Sequence, residues 1–369
     1  MLKITHLTSA HTRYDIRIFL KMCTSLAANG HDVSLIVADG LADEVKNNVS
    51  IFDVGRKNHG RLYRMTRTVS LIFKRARELD SDIFHMHDPE LLPIGIRLRK
   101  MGKIVIFDAH EDLPKQILSK PYLNKFSASV LSRFFQLYER WAFRKFTALV
   151  GATPNISERI KKINPTTVNL NNYPLREEMT HTTQWNCKKN EAVFVGGLSE
   201  IRGVREMVQA MCYTDGVKLN LVGSFNHQKI KETVEEEKGW AKVNEFGHLD
   251  RSKVGGLLSR SKVGLVTFLP APNHVDAQPN KMFEYMAVGI PVIASNFPSW
   301  KQIIEGHQCG ICVDPQKPKA IGDAIMDLFE NPEKATQMGK NGRAAVERQY
   351  SWEAEFNKLI ELYQNFLIK

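Results

Sequence analysis

The stretch from Asp276 to Glu284 carries the residue types of a site for a phosphate and a sugar. Pro279 and Asn280 are typical of a helix start, and a helix N-terminus offers free backbone N–H groups that suit a phosphate. Lys281 adds a positive charge there. The carboxylates of Asp276 and Glu284 can accept hydrogen bonds from sugar hydroxyls. An ordinary connection between a strand and a helix, with a solvated Lys281 and Glu284, would show the same spacing.

A glycine turn precedes a second helical segment. Gly196 and Gly197 follow an apolar run, and Arg202 lies about one turn further on. Such a turn lets a diphosphate approach the backbone closely, with Arg202 as its counter-charge. A plain turn with a surface arginine is the alternative. The chain has neither a Walker loop nor G-x-G-x-x-G after its first strand, which argues against kinases and dehydrogenases.

Polar residues also follow the predicted strands of the first half: His11, Asp15, Arg17, His85, His87, Asp88, Asp108, His110, Glu111 and Asp112. His110 can donate a hydrogen bond to a sugar hydroxyl or to developing charge. A capping histidine satisfied by its neighbours is the alternative. His87 indicates a structural strand end before an Asp-Pro turn. A metal there would need a third ligand, and none has suggestive spacing.

The elements that position these residues alternate between strand and helix throughout the chain, which predicts parallel sheets covered on both faces. A polar segment, 175–190, is typical of a linker, and the two halves show the same alternation. We therefore expect two Rossmann-like, doubly wound α/β domains facing a cleft, residues 1–172 and 173–350. In such sheets ligands bind beyond the carboxyl ends of the strands, where the polar residues above lie.

Composition and charge narrow the class of protein. No run approaches about 18 apolar residues, so no membrane span is expected, and Met1–Leu7 is typical of a strand rather than a secretory signal. Five cysteines without framework spacing indicate a reducing cytoplasm. The Cys309–Cys312 pair favours a buried turn over zinc or redox chemistry.

The positive charge is concentrated in the first half of the chain. Residues 1–172 hold 27 Lys+Arg and 16 Asp+Glu, so 27 − 16 = +11, whereas residues 173–369 hold 24 of each. The first half should therefore meet an anionic partner.

The motifs together resemble the GT-B-fold retaining glycosyltransferases of group 1, or family four. The resemblance rests on the following segments: 15–18 (Asp-Ile-Arg-Ile), 85–92 (His-Met-His-Asp-Pro-Glu-Leu-Leu), 107–111 (Phe-Asp-Ala-His-Glu), 195–198 with 202–203, 247–249, and 280–294. The last segment is the most specific. The resemblance implies a terminal helix, within 351–369, that packs back on the first domain.

The resemblance also implies roles for individual residues. Glu284 matches the carboxylate that binds the donor ribose, and Asp276 stands where the family has a glutamate facing the reacting centre. Because the carboxylate of Asp276 is shorter, either the choice of sugar is altered or the role passes to the backbone around Gln278. Arg202 matches a diphosphate-binding lysine, while Gly197 replaces the usual arginine of that loop. The resemblance implies three further donor-side residues. His248 belongs to the turn that lies near the nucleotide base, and Asn280 lies at the helix start. Lys281 would substitute for the missing cation.

On the first domain, the resemblance implies that His110 contacts the donor sugar near the acceptor. Acceptor-side candidates are Asp15, Arg17 and Glu111. The implied reaction moves a sugar from a nucleotide-diphosphate sugar with retention and without a metal or other cofactor. Arg202 and Lys281 would stabilise the leaving diphosphate, whose oxygen would take the acceptor proton.

The charge distribution suggests the acceptor. Basic residues interleave with apolar ones in 56–77 and 115–146, which suits an anionic membrane face. A solvated face on a core helix is the alternative for 125–146. We therefore expect a cytoplasmic enzyme at the inner face of the plasma membrane. Its acceptor would be a lipid-linked saccharide of bacterial surface polysaccharide assembly, of the O-antigen or capsule kind.

Two other functions fit the same sequence. A nucleotide-sugar 2-epimerase would share the architecture, but it needs no acceptor and leaves the basic first half unexplained. A non-catalytic module that binds membranes or nucleic acid would explain the basic half. No nucleic-acid motif accompanies it, however, and the donor-site residues Arg202, Lys281 and Glu284 are all present.

Overall fold

The computed structural model describes residues 1–55, 60–118, 123–175, 183–272 and 274–366. The chain forms two compact units. The first unit comprises Met1–Asn172 and the end of the chain from Ala354, and the second unit is Tyr173–Glu353.

The first unit is built on an eight-stranded sheet. Its strands are β1 (Lys3–Leu7), β2 (Asp32–Val37), β3 (Glu44–Lys46), β4 (Val49–Asp53), β5 (Ile83–Met86), β6 (Ile104–Ala109), β7 (Ala148–Gly151) and β8 (Thr167–Asn169). They lie in the order β3-β4-β2-β1-β5-β6-β7-β8. All neighbours pair in parallel except β3 and β4, which form an antiparallel hairpin at the edge. The hairpin strand β3 was not predicted from the sequence.

Helices cover this sheet. Their bounds are Ile16–Cys23 and Thr24–Ala28, Gly60–Tyr63, Arg64–Thr68 and Val69–Leu79, Leu92–Lys100 after the turn Pro89–Leu91, Leu113–Leu118, Lys125–Phe143, Pro154–Lys161 and Trp352–Gln364. The first of them begins in widened, π-type turns whose N-cap is Asp15. The last begins in the second unit and belongs to the first from Ala354 onward.

The second unit is built on a six-stranded parallel sheet. Its strands are β9 (Glu191–Val195), β10 (Lys218–Val222), β11 (Val243–Gly247), β12 (Val263–Val266), β13 (Val292–Ser295) and β14 (Gly310–Val313), in the order β11-β10-β9-β12-β13-β14. The helices are Val204–Ala210, Gln228–Glu235, Arg251–Arg260, Asn280–Ala287, Pro298–Ile304, Pro318–Glu330 and Pro332–Gln349. Short 3₁₀ turns occupy Trp185–Cys187, Glu200–Arg202, Met211–Tyr213 and Lys238–Lys242.

The predicted architecture of two α/β units with parallel sheets is confirmed, with the β3 hairpin as the exception. The central strands of both sheets are buried on two faces, and β7 and β12 read as continuous apolar runs for that reason. Where the strand order turns at β1, the segments after β1, β5 and β6 lie side by side. In the second unit the same holds for the segments after β9 and β10.

Two sequence interpretations change in detail. The segment interpreted as a linker, 175–190, includes residues 176–182, which lie outside the described residues, whereas Trp185 packs against the core of the second unit.

Cys309 directly precedes β14 and Cys312 lies within it, so the pair is at a strand start rather than in a turn. Burial raises the pKa of each of these free thiols to about 12, which disfavours thiolate chemistry.

Within the described parts of the chain, no helix combines the length and the apolar character that a membrane crossing requires.

Candidate active site

The Asn280–Ala287 helix positions the donor-side residues. Pro279 precedes its first residue in extended conformation, and Gly289 follows it with a φ of +73°. Met282, Phe283, Met286 and Ala287, which recur at helical spacing in the sequence, are buried on its inner face together with Tyr285. The hydroxyl of Tyr285 accepts a hydrogen bond from the backbone N–H of Val195 at 3.0 Å, which ties this helix to the end of β9.

The glycine turn after β9 lies directly beside this helix. Gly196 has a φ of +131°, a conformation that side chains with a Cβ rarely adopt. A Cβ on Gly196 would lie 2.7 Å from the Nζ atom of Lys281, and one on Gly197 would lie 3.0 Å from a guanidinium nitrogen of Arg202. Arg202 donates to the carbonyl of Gly197 at 3.2 Å. The structure thus brings Gly197, Arg202 and Lys281 together, although 79 residues separate Arg202 from Lys281.

Lys281 is the most unusual group of this cluster. Its side chain is 8% exposed, and within the described residues its Nζ atom has no hydrogen-bond partner. Nζ lies 3.9 Å from the ring centre of Phe194 and 4.8 Å from that of Phe268. Burial, followed by repulsion from Arg202, holds the pKa of Lys281 well below its ordinary value, and Glu284 opposes that shift. A buried amine without an acceptor next to a second cation is a site prepared for an anion.

Glu284 lies one helical turn beyond Lys281 and is partly exposed. Arg251, the first residue of the Arg251–Arg260 helix, donates a hydrogen bond to Glu284 Oε1 at 3.4 Å. No motif in the sequence marks Arg251 as a donor-side residue. The only local signal was Asp250, which caps that helix by accepting from the backbone N–H of Lys253 at 3.0 Å. Arg251 adds a third cation-bearing side chain to the donor-side residues.

The remaining donor-side residues lie in loops. Gln278 accepts a hydrogen bond from the hydroxyl of Tyr173 at 3.4 Å, and the indole of Trp300 donates to the carbonyl of Ala277 at 2.6 Å. These bonds fix the loop that also carries Asp276, which is half-buried, and that leads to Asn280, the first residue of the helix. His248 is exposed and follows Gly247, whose φ is +62°.

In the first unit, Arg17 does not occupy the place expected of it. Its side chain is 4% exposed, and it donates two hydrogen bonds to the carboxylate of Asp108, at 2.8 and 2.9 Å. A buried guanidinium held in this way leaves no exposed face for an acceptor. We therefore correct the sequence-based interpretation: Arg17 is a structural partner of Asp108 and not an acceptor-side residue.

Asp108 in turn supports His110. The Nε2 atom of His110 lies 3.2 Å from Asp108 Oδ2 and 3.1 Å from Nδ1 of His87. Although burial alone would raise it, the pKa of Asp108 lies well below its ordinary value because Arg17 and His110 stabilise the carboxylate. His110 itself is half-buried, and within the described residues no hydrogen bond reaches its Nδ1 atom. One ring nitrogen of His110 is therefore satisfied by its neighbours, and the other has no hydrogen-bond partner among the described residues; the contact of His110 with a sugar stays a prediction.

A row of buried histidines continues behind His110. His6 Nδ1 lies 2.9 Å from His87 Nε2, and His85 Nδ1 lies 2.6 Å from the hydroxyl of Tyr363. The rings of His6 and His85 stack at 4.9 Å. Burial lowers the pKa of His87 to about 3 and those of His6 and His85 well below their ordinary value, so these imidazoles are neutral. The sequence pointed to His85 and His87 but gave no signal for His6 or Tyr363.

His85, His87 and Asp108 have the chemistry of metal ligands, and their donor atoms lie within 4.8 Å of one another. Both oxygens of Asp108, however, accept from Arg17, whose positive charge opposes a cation at this place. His85 Nδ1 is likewise engaged by Tyr363. The oxygens of Asp108 and the Nδ1 atom of His85 are committed to protein partners, whereas His85 Nε2 has none among the described residues; we assign no metal to this set.

The other acceptor-side candidates differ in exposure. Asp15 accepts hydrogen bonds from the backbone N–H groups of Arg17 and Ile18, each at 2.9 Å, and so caps the first helix. Glu111 is exposed and accepts a hydrogen bond from the side-chain amide of Gln116. Asp15 therefore has a structural role as well as a position at the strand ends, whereas Glu111 projects from the surface.

Two family models match the chain. A model described as "Glycosyl transferases group 1" matches residues 176–345, and one described as "Glycosyltransferase Family 4" matches residues 17–169. The D-rhamnosyltransferase WbpZ of Pseudomonas aeruginosa is 25% identical over 291 residues, covering 74% of this chain and 71% of that protein. The capsular polysaccharide biosynthesis glycosyltransferase CapM of Staphylococcus aureus is 24% identical over 178 residues, covering 47% of this chain and 46% of that protein.

Solved structures share the fold. The sucrose-phosphate synthase of Thermosynechococcus elongatus matches with a TM-score of 0.80 at 18% identity and covers 100% of each chain. Anabaena Alr3699/HepE in complex with UDP and glucose matches with a TM-score of 0.76 at 13% identity, covering 99% of this chain and 100% of that one. At these identities the likeness concerns the fold.

Proposed function

Because this chain belongs to the group 1 glycosyltransferases of GT-B fold, we propose that it moves a sugar from a nucleotide-diphosphate sugar to a saccharide acceptor. The transfer retains the anomeric configuration and uses no metal. The ligands of Alr3699/HepE, UDP and glucose, support a donor of this class. The role of CapM in capsular polysaccharide biosynthesis supports an acceptor in bacterial surface polysaccharide assembly, of the O-antigen or capsule kind.

The observation that carries this proposal is the state of Lys281. The amine of Lys281 is buried next to Arg202 and the glycine turn, and it has no hydrogen-bond acceptor among the described residues. A diphosphate would supply the anionic partner that it lacks. The turn at Gly196 and Gly197 leaves room for that group because neither residue has a Cβ. The cations then act where negative charge develops on the leaving diphosphate, and they are already in place before the reaction.

The other donor-side residues follow from this placement. Glu284, one turn further along the helix, accepts hydrogen bonds from the ribose hydroxyls, and Arg251 orients its carboxylate. Asp276 and Gln278, on the loop before the helix, face the transferred sugar. The exposed His248 contributes to the surface near the base.

The first unit supplies the acceptor-side residues. His110 contacts a sugar hydroxyl, and Asp15 and Glu111 lie on the acceptor side. The acceptor hydroxyl loses its proton to an oxygen of the leaving diphosphate, so the protein residues bind and orient the reactants. Asp108 and Arg17 act through His110 and touch no substrate.

We propose further that the acceptor is lipid-linked and that the enzyme works at the inner face of the plasma membrane. The support is the Lys125–Phe143 helix, whose outer face is apolar: Phe126 is 80% exposed and Phe134 is 68% exposed, with Val130, Leu137 and Trp141 between and beyond them. Exposed basic residues flank this stripe, namely Lys125, Arg133, Arg140, Arg144 and Lys145. An apolar stripe rimmed by cations suits an anionic bilayer surface.

A binding screen tests the proposal. Isothermal calorimetry with UDP-, GDP-, ADP- and dTDP-sugars should find one nucleotide class that binds, and Glu284→Ala should weaken that binding at least about tenfold. Glu305→Ala, an exposed carboxylate paired with Lys301, is the matched control and should bind as the wild type does. Failure of all four donors to bind contradicts the proposal. Formation of an epimer from the nucleotide-sugar alone would favour the epimerase instead.

A further inference from the structure

His11 lies at the same strand ends as His110 and has no role in the function proposed above. Its ring centre is 4.9 Å from that of His110. It sits in the loop after β1, which Asp88 holds by accepting from Thr8 Oγ1 at 2.7 Å and from the backbone N–H groups of Ser9 and Ala10 at 2.6 and 3.1 Å. The position of the His11 ring is therefore set by a buried carboxylate.

Both ring nitrogens of His11 face carboxylates. Nδ1 lies 3.3 Å from Asp15 Oδ2, and Nε2 lies 3.4 Å from Asp88 Oδ1. An ionised carboxylate only accepts hydrogen bonds, so each nitrogen is favourably placed only when it carries a proton. This geometry selects the imidazolium form of His11.

The charges around His11 agree with this assignment. Burial lowers the pKa of His11, but the hydrogen bond with Asp15 and the charges of Asp88, Asp15 and Asp108 outweigh it, so the net shift is upward. The shift of Asp15 runs the other way: despite its burial, its pKa is lowered, chiefly by the hydrogen bond with His11. Proton and carboxylates stabilise one another.

His110 has the opposite arrangement. Only its Nε2 atom meets a carboxylate, Asp108, so that nitrogen carries the proton, and Nδ1 is left with a lone pair when the ring is neutral. A second imidazolium 4.9 Å from the first would be repelled by it. The groups that face His110 are His11 and Asp15 from the loop after β1, His87 from the segment after β5, and Asp108 of β6, which Arg17 partly neutralises.

We propose that His11 is a positioning residue: as a cation held between the carboxylates of Asp15 and Asp88, it keeps the neighbouring His110 neutral, so that His110 Nδ1 accepts a hydrogen bond from a substrate hydroxyl. The hydroxyl as ligand rests on the glycosyltransferase function proposed above, whereas the division of protons between the two histidines does not. Removal of the His11 charge would leave Asp15 and Asp88 uncompensated next to His110. His110 would then bind a proton and lose its acceptor.

Nitrogen-15 NMR of histidine-labelled protein tests the division directly, without donor or acceptor. The signals of His110 and His11 are identified by their loss in His110→Asn and in His11→Gln. In the wild type at pH 7 we expect two protonated nitrogens on His11, and on His110 a protonated Nε2 with a free Nδ1. In His11→Gln we expect the Nδ1 atom of His110 to carry a proton at pH 7, and His11→Lys should restore the free Nδ1.

Two results would overturn the proposal: a neutral His11 at pH 7 in the wild type, or a His110 Nδ1 atom that stays free of a proton in His11→Gln. Thermal melting of both His11 variants shows whether they fold, and a purely structural role for His11 would not give a reversal by lysine. Calorimetric binding of nucleotide-sugars is measured separately on the wild type, so failure of the proposed function and failure of this inference are distinguishable.

Discussion

The Nζ atom of Lys281 lies 3.9 Å from the ring centre of Phe194 and meets no hydrogen-bond acceptor in the described residues. An amine in that position is stabilised by the ring only when charged, and burial beside Arg202 opposes that charge. The two effects leave Lys281 poised to change its protonation when an anion arrives.

Donor binding should therefore take up protons. A diphosphate next to Lys281 raises its pKa from the depressed value of the empty site, so the bound state holds more protons at pH values between the two. Calorimetry of the binding nucleotide-sugar in buffers of different ionisation enthalpy, such as HEPES and Tris, should give different heats at equal affinity. Equal heats in both buffers for the wild type would contradict this, and Lys281→Met should show no buffer dependence from this group.

Gly196→Ala should damage donor binding more than folding alone explains. The φ of +131° makes alanine unfavourable by about 1–2 kcal/mol or more, and the new Cβ would lie 2.7 Å from Lys281 Nζ. Gly216→Ala is the control, since Gly216 has a φ of +62° but nothing within 4 Å of a Cβ. Urea unfolding should show both variants destabilised, whereas calorimetry should show nucleotide-sugar affinity reduced at least about tenfold in Gly196→Ala only. Equal affinities in the two variants would argue against the predicted approach of the diphosphate to this turn.

Asp108→Asn should be strongly destabilising. The substitution leaves the buried guanidinium of Arg17 without its charge partner, and breaking such a pair costs about 3–5 kcal/mol. The depressed pKa of Asp108 means that its contribution is present above the ordinary carboxyl pKa and is lost as the pH falls. Denaturant unfolding at several pH values measures this, with Asp323→Asn in an exposed pair with Lys319 as a control of little effect. A small effect of Asp108→Asn would mean that the Arg17 pair is not a structural anchor.

The apolar stripe of the Lys125–Phe143 helix should govern membrane binding. We expect the wild type to sediment with phosphatidylglycerol vesicles at low salt, less with phosphatidylcholine vesicles, and less again at high salt. The triple variant Phe126→Ser, Phe134→Ser, Leu137→Ser should remain in the supernatant. Val45→Ser, at a 74% exposed position on the edge strand β3, is the control and should sediment as the wild type does. Equal recovery of the wild type with neutral and anionic vesicles would contradict a role for the basic residues.

Local signals in the sequence were sufficient for most of the elements, though not for the hairpin strand β3, and for part of the site. Pro279, Asn280 and Gly289 delimit the donor-side helix because caps and breakers act within a few residues. The proximity of Arg202 to Lys281 followed from the rule that loops after parallel strands meet at one edge of the sheet.

Long-range partners were beyond the sequence. The pairing of Arg17 with Asp108 joins residues 91 positions apart, and the bond between His85 and Tyr363 joins residues 278 apart. The first pair depends on the strand order and the second on the terminal helix that belongs to the first unit, so no periodicity in the sequence predicts them. The sequence therefore indicated an acceptor-side role for Arg17. The proton states of His11 and His110 could be inferred only once the positions of Asp15, Asp88 and Asp108 were known.

In the proposed function Lys281 binds the diphosphate of the donor, and Lys281→Met removes the amine that would do so. The variant removes a buried amine from between aromatic rings, so it should be at least as stable as the wild type. Because the unfolded chain binds a proton at Lys281 that the empty native site disfavours, that gain should shrink as the pH rises toward about 10.4. Nucleotide-sugar affinity should nevertheless fall at least about tenfold, while the exposed Lys301→Met leaves it unchanged. If the Lys281→Met protein binds the nucleotide-sugar with wild-type affinity, Lys281 is not the group that binds the donor diphosphate.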